Sequence, residues 1–519
     1  MTTPKITYAT MSSDNEELHS AYDAALERVQ SRLGEDHPYF VDGEERTSGE
    51  WFEERSPIDR DVVVGRFAQA TVGDIDDAVA AAGAFNDEWE STPWQQRRDL
   101  MLGAAELMEG QLFDLAALMA HEVGKNRLEA LGDVAETVEF FRYYGGQMTE
   151  HDGFETPLSS LSAAEHNVSV LRPYGTWAVI SPFNFPLALA SGPTIGALLT
   201  GNTVVLKPSN QGALMAIEFY RLMREAGLPP SAFHVVTGGD EVGDALAHHD
   251  GVDGLTFTGS YDVGMYLYRT VREKRPKPVI AEMGGKNPAI VTATADLDAA
   301  VEGVVRGAFG FSGQKCSATS RVYVERPVYD EFVDRLTARA KELKVGDPLE
   351  RDAFTGPVID EEAVERFEKA IEEVTARGGR VLHGGERLTD DGLTRGNYLA
   401  PTVVAVPEDS YVWSQELFVP LVAVGAVESL DEGLDKANDT PFGLTAGLFA
   451  GTNEEIQRFF DRIEAGVTYV NRAAGATTGA WPDIQSFGGW KGSGTSGAGG
   501  GGPWYLRNYL REQSRTVVR

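Results

Sequence analysis

Between residues 74 and 148 the apolar positions fall three or four apart, in three blocks: "DIDDAVAAAGAFNDEW", "WQQRRDLMLGAAELMEGQLFDLAALMAHEV" and "LEALGDVAETVEFFRYYGGQM". In the last block Val134, Val138 and Phe141 share one face, so each block is expected to be an amphipathic helix. Residues 1 to about 37 precede them as a charged extension, expected to be helical around "NEELHSAYDAALERVQSRL". The period then changes. Short β-branched runs ("TWAVISP", "NTVVLKP", "AFHVVTG", "GLTFTGS") alternate with helical stretches ("LALASGPTIGALLT", "ALMAIEFYRLMREAG", "EVGDALAHH", "VGMYLYRTVREK"). Such alternation predicts a doubly wound parallel sheet with helices on both faces, and ligands beyond the carboxyl ends of its strands.

After "PVIAEMGGKNPAIVT" a second alternating block begins. It comprises "AAVEGVVRGAFGF", "SRVYVER", "VYDEFVDRLTARAKEL", "TAGLFA", "EEIQRFFDRIEAG" and "VTYVN". Two α/β domains are therefore expected, with a boundary near residue 282. The glycine run in "SGTSGAGGGG" reads as a flexible linker or a tight loop, and "PWYLRNYLREQSRTVVR" as a helix followed by a short strand. No internal repeat is visible.

Charge narrows the setting. Against 79 acidic residues stand 46 basic ones, a net charge of −33, and only twelve of the basic residues are lysine. Self-repulsion on this scale loosens a compact chain unless salt screens it, so a high-salt cytoplasm is expected. Nucleic acid and anionic membrane surfaces would be repelled. The polar, acidic start fits neither a signal nor a transit peptide, and Gly, Pro, Ser and Thr interrupt the most apolar stretch, "FPLALASGPTIGALLTGNTVV". The expectation is a soluble cytoplasmic protein without a membrane span.

The chemistry gathers around one thiol. Cys316, the only cysteine in 519 residues, lies in "GFSGQKCSATSR". A lone cysteine is commonly a small buried hydrophobe, but Lys315 and Arg321 are expected to favour its thiolate, and the glycine-serine loop to admit a substrate. "GGDEVG" and "GSYDVG" each open a helix after a strand, leaving N–H groups where a pyrophosphate can bind. "HEVGK" and "HHD" lack partners at ligand spacing, so no metal is expected. Asn184 in "SPFNFP" and Glu282 in "AEMGGKNP" stand beside turns at strand ends. A thiol, a carboxyl and a side-chain amide supply the nucleophile, base and oxyanion donor of acyl chemistry through a thioester.

At these residues the chain resembles the NAD(P)-dependent aldehyde dehydrogenase superfamily, from about residue 40 onwards. The resemblance is carried by "SPFNFP", "GNTVVLKPS", "FTGSYDVG", "EMGGKNP", "GFSGQKC", "QELFVP", "NDTPFGLTAGLF" and "FGGWKGSG". It implies two doubly wound parallel-sheet domains, one Rossmann-like for the cofactor and one catalytic, plus a small β oligomerisation element. Residues 38–155 and 172–281 would bind NAD(P) and 282–487 carry catalysis, after an extension of 1–37. Residues 156–171 would form an oligomerisation hairpin and 503–519 a strand, with "SRTVVR" pairing across subunits of a homo-oligomer.

The resemblance also implies roles. Cys316 is the nucleophile, Asn184 with the Cys316 N–H holds the oxyanion, and Glu282 activates the hydrolytic water. Lys207 and Glu416 bind ribose hydroxyls, Phe418 packs near the nicotinamide, and Gly259 and Ser260 meet the pyrophosphate. Asn210 stands where NAD-preferring members carry a ribose-binding glutamate, so NAD is expected and NADP stays open. Val419 replaces the glycine common before the proline of "QELFVP".

Within the superfamily, "FGFSGQKCSATSRVYV", "EVGKNRLEALGDVAETVEFFRYY" and "TTGA" … "QSFGGWKGSGTSGAGGGGPWYL" look like the branch that oxidises L-glutamate γ-semialdehyde to L-glutamate in proline and arginine catabolism. That branch implies a carboxylate anchor at Ser317, Gly479 and Ala480, with Phe185 and Phe487 along the aliphatic chain. Succinate or 2-oxoglutarate semialdehyde as substrate, and more remotely a non-catalytic relative, remain open at this point.

Overall fold

The computed structural model describes residues 15–390, 392–474 and 477–519. The first fourteen residues of the extension, and Gly475 and Ala476 of "NRAAGATTGA", lie outside the described residues.

The helices begin where local chemistry can satisfy their first N–H groups. Helix Val72–Ser91 opens on a reciprocal cap: Thr71 Oγ1 accepts from the Asp74 N–H, and the Asp74 carboxylate accepts from the Thr71 N–H. Helix Arg127–Glu150 starts at Asn126, whose side chain accepts from the Glu129 N–H at 2.9 Å, and it buries Val134, Val138 and Phe141 on one face as read. The long pattern between those two is not one helix. It divides at Gln111 into Trp94–Gly110 and Leu112–Val123, the second ending on Gly124 with φ 74°. The low helix propensity of Gly110 makes the break inexpensive there, and the reset lets Leu112 and Leu115 reach the core.

One seven-stranded sheet runs in the order Val279–Glu282, Gly254–Thr258, Thr176–Ser181, Thr203–Pro208, Phe233–Val235, Tyr39–Val41, Glu44–Arg46. Its first five strands are parallel, and the last two form an antiparallel edge. A second seven-stranded sheet runs Arg380–His383, Thr402–Ala405, Leu421–Val427, Thr319–Glu325, Asn287–Val291, Thr445–Phe449, Val467–Val470, parallel except at Arg380–His383. The fold is thus α/β with two sheets that are parallel at their centres and mixed at one edge. Helix Glu361–Ala376 and strands Thr402–Ala405 and Leu421–Val427 fall outside the patterns read from the sequence.

A three-stranded antiparallel sheet joins Glu155–Leu158, Glu165–Pro173 and Leu510–Val518. The terminal strand is nine residues long rather than short, and within the chain it pairs with Glu165–Pro173, from Leu510 opposite Pro173 to Val518 opposite Glu165. Hairpin and strand meet because both lie beside the same core. Tyr505 stacks on Tyr144 at 5.6 Å and Tyr509 tilts against Trp177 at 4.8 Å between centroids. The glycine run is a tight loop. Gly500 and Phe487 exchange backbone hydrogen bonds at 2.9 and 2.7 Å, and the Gly501 N–H donates to the Tyr144 hydroxyl at 3.0 Å.

Close approach fixes Gly254 in the first sheet, because a Cβ there would lie 2.3 Å from Trp177 Cζ3. Gly254→Ala is expected to cost about 1–3 kcal/mol of stability, as overpacking does. A lower urea midpoint with an unchanged slope is the expected readout.

Candidate functional site

Strands of the first sheet end at Ser181, Thr258 and Glu282, and beyond these ends opens a cavity of ≈ 540 Å³. The loop carrying Cys316 forms the opposite wall. Of the residues singled out in the sequence, Asn184, Phe185, Gly259, Ser260, Glu282, Lys315, Cys316, Ser317, Glu416, Phe418, Ala480 and Phe487 line this one cavity. Lys207, Asn210 and Gly479 do not line it.

The loop carrying Cys316 is held by unusual backbone. Phe311 and Ser312 have φ of 50° and 53°, a conformation that costs side-chain-bearing residues energy and persists only when neighbours enforce it. They do. The Ser312 N–H donates to Thr355 Oγ1 at 2.7 Å, Gln314 Oε1 accepts from the Ile359 N–H at 2.8 Å, and Asn287 Nδ2 donates to the carbonyls of Cys316 (2.7 Å) and Ala318 (2.9 Å). Asn287 lies inside "AEMGGKNP", but nothing in that stretch announced its clamp on the Cys316 carbonyl.

Cys316 is partly buried, and its thiol is not poised as a thiolate. Burial, with Glu416 and Glu282 nearby, pushes its pKa up to about 12, while the N–H groups of Ser317 and Cys316 pull the other way. This corrects the expectation from Lys315 and Arg321. Lys315 Nζ is turned away to Glu129 Oε1 at 2.6 Å, and the Arg321 guanidinium is spent on the carbonyls of Lys286 and Ala437. Sequence neighbours point in different directions, so adjacency did not place either cation beside the sulfur.

Asn184, 3% exposed, uses one amide hydrogen on the Gln314 carbonyl at 3.1 Å. The amide has a second donor for the cavity. Glu282 ends its strand with Oε2 accepting from the Gly489 N–H at 3.2 Å, while its buried Oε1 has no hydrogen-bond partner. Burial pushes this carboxyl up to about 8. A carboxyl so placed changes charge near neutral pH, which suits proton transfer.

Glu416 Oε1 accepts from the Gly285 N–H at 3.0 Å, and burial lifts its pKa to about 7. A Cβ on Gly284 would fall 1.9 Å from Glu416 Oε2, so the glycine pair is what lets this carboxylate lie flat on the strand end. Phe418, with φ 57°, meets Phe183 edge to face at 6.0 Å. Lys207 is buried at the end of its strand, its pKa lowered to about 8 by burial. Ser260 caps helix Tyr261–Thr270, accepting from the Val263 N–H, and so opens the "GSYDVG" turn as read.

Asn210 Oδ1 is buried without a partner, next in sequence to Ser209, which lines the cavity. A hydroxyl donor from a ribose would satisfy it, so the donors and acceptors here fit a dinucleotide. In the loop expected to anchor a carboxylate, two N–H groups are already engaged. The Gly479 N–H donates to Gln485 Oε1 at 2.9 Å and the Ala480 N–H to Thr478 Oγ1 at 3.2 Å. Both donors already have acceptors, because the loop folds back on itself, so a carboxylate must displace these oxygens to use them.

The model of the aldehyde dehydrogenase family matches residues 43–515. A 1-pyrroline-5-carboxylate dehydrogenase of Geobacillus sp. (strain WCH70) is 37% identical over 505 residues, covering 96% of this chain and 95% of that one. The Thermus 1-pyrroline-5-carboxylate dehydrogenase solved with bound NAD superimposes with a TM-score of 0.93 at 34% identity, over 100% of both chains. Proline utilization A from Bdellovibrio bacteriovorus superimposes with a TM-score of 0.91 at 36% identity; 96% of this chain matches 52% of that one, so the present chain spans about half its length.

Proposed function

Because this chain belongs to the aldehyde dehydrogenase family, we propose that it oxidises L-glutamate γ-semialdehyde, the open form of 1-pyrroline-5-carboxylate, to L-glutamate with NAD. The observation that carries the reading is one cavity holding the single thiol, the half-used Asn184 amide and a Glu282 carboxyl with a free oxygen.

Cys316 attacks the aldehyde carbon. Its proton must first pass to solvent, since burial holds the free thiol neutral. The second Asn184 hydrogen and the Cys316 N–H stabilise the oxyanion of the thiohemiacetal, in a site where such donors act at low dielectric. Bound NAD supplies the acceptor for the hydride that leaves this carbon. Glu282 then takes a proton from water, which attacks the thioester and frees the thiol for another turn. Lys207, Asn210 and Glu416 would hold ribose hydroxyls, Gly259 and Ser260 the pyrophosphate, and Phe418 the nicotinamide. Ser317, Gly479 and Ala480 would hold the substrate carboxylate once Gln485 and Thr478 yield, with Phe185 and Phe487 on either side of the methylenes.

Residues 38–155 and 172–281 form the cofactor domain in this reading, and 282–487 the catalytic domain. A high-salt cytoplasm is supported by the net charge of −33. Assembly into a homo-oligomer is supported by Leu510–Val518, an edge strand with eight exposed residues and free pairing groups. Among the described residues no helix is long and apolar enough to cross a membrane.

The test is NADH formation in concentrated KCl with glutamate γ-semialdehyde, succinate semialdehyde and 2-oxoglutarate semialdehyde. A site built to bond the amino and carboxyl groups of one substrate should favour it by about tenfold or more in kcat/KM. Equal or lower values for glutamate γ-semialdehyde would overturn the substrate assignment.

A further inference from the structure

Helix Arg127–Glu150 is tied to both walls of the cavity, to the Asn184 wall by a hydrogen bond from the Ala188 N–H to Asp133 and to the Cys316 wall by the Glu129–Lys315 ion pair. Asp133 is itself paired with a buried lysine. Asp133 Oδ2 accepts from Lys125 Nζ at 2.7 Å, with both side chains fully buried. One turn earlier, Glu129 Oε1 accepts from Lys315 Nζ at 2.6 Å, and Lys315 directly precedes Cys316. The other oxygen of Asp133 accepts from the Ala188 N–H at 2.7 Å. Helix Ala188–Leu199 has no capping side chain of its own, so Asp133 supplies the cap from a different helix. The Asn184–Phe185 turn leads into that helix, with the Phe185 carbonyl accepting from the Leu189 N–H at 3.0 Å.

The cation completes the bridge. Lys125 Nζ lies 3.7 Å from the centroid of Phe185 and 5.2 Å from that of Phe311. The first ring follows the oxyanion donor Asn184; the second begins the strained loop that ends at Cys316. One ammonium therefore touches ring faces from both walls, an attraction strengthened by its full burial. Breaking a buried pair by removing one partner is strongly destabilising. Neither Lys125 nor Asp133 lines the cavity, so whatever they contribute acts through other residues.

We propose that Lys125 and Asp133 are positioning residues that set the gap between the Asn184 amide and the Cys316 sulfur. This rests on the roles given above to Asn184 and Cys316, but not on the identity of the aldehyde or cofactor. Burial favours the neutral forms of both groups, lowering Lys125 and raising Asp133, and each partner's charge counters that for the other.

Acyl transfer from p-nitrophenyl acetate tests the gap without cofactor or semialdehyde. The Cys316 thiol loses its proton to solvent, a C–S bond forms, the ester C–O bond breaks, and p-nitrophenolate leaves with the bonding electrons. The oxyanion formed on the way needs the Asn184 donor; alkylation of Cys316 by iodoacetamide does not. In K125M, and in the neutral pair K125M/D133N, acylation is expected to fall about 10- to 100-fold, the scale of a displacement near 1 Å. Alkylation should stay within about threefold. Phe311→Leu, which leaves the ion pair intact, should slow acylation in the same selective way. Acylation within threefold of the unmodified chain in the folded variants overturns the proposal. So does a parallel fall in acylation and alkylation, which would mean the thiol itself had changed. An ester burst that survives in Cys316→Ala would instead overturn the nucleophile assignment.

Discussion

Cys316→Ala is expected to reduce aldehyde oxidation to background, a loss on the order of 10⁴-fold or more, as removal of an enzyme nucleophile does. Alanine retains the packing of the β-carbon, and the loop is fixed by Ser312, Gln314 and Asn287 rather than by the sulfur, so the fold should survive. Because no second cysteine exists, incubation with aldehyde and NAD should place a mass adduct on the unmodified chain and none on the variant. Persistent turnover in Cys316→Ala would remove the covalent route altogether.

Glu282→Gln should separate the two halves of the reaction. The amide keeps an oxygen for the Gly489 N–H and nearly the same shape, but it cannot take a proton from water. Hydride transfer should proceed once per site, giving a burst of NADH, and turnover should then drop by about 10²–10⁴-fold as the thioester accumulates. In the unmodified enzyme the base works only as the carboxylate. Since burial raises this carboxyl to about 8, the thioester-hydrolysis rate should climb as pH rises through about 8 and level off above it. The variant should lose that limb. Single-turnover and steady-state rates from pH 6 to 10 check both points; a burst-free variant or an unchanged pH limb would show that Glu282 is not the hydrolytic base.

How far the sequence could be read depended on distance along the chain. Strand Thr203–Pro208 is buried throughout and Thr176–Ser181 everywhere but at Ile180, and such nearly continuous runs reveal themselves locally. Helix Glu361–Ala376 buries only a narrow stripe, Ala363, Val364, Phe367, Ala370 and Val374, among many charges, so its pattern does not stand out locally. Cys316, Glu282 and Asn184 stood out because each sits in a short stretch rich in glycine, proline or aromatic residues. Asp133 reaches its Ala188 partner across 55 residues, and Glu129 reaches Lys315 across 186, so neither contact leaves a local mark. The direction of the Lys315 side chain and the internal acceptors of Gly479 and Ala480 are likewise properties of tertiary packing, which spacing does not encode.

The three-stranded sheet has a consequence for synthesis. Ser169 and Glu512 bond across 343 residues, and Tyr144 donates a ring face to Tyr505 and accepts from Gly501 across 357. A nascent chain that has exposed all of its first sheet still lacks the tyrosines that seal it until the ribosome has translated nearly everything downstream. The layer around the first sheet must therefore wait, partly open, for its own last contacts to emerge.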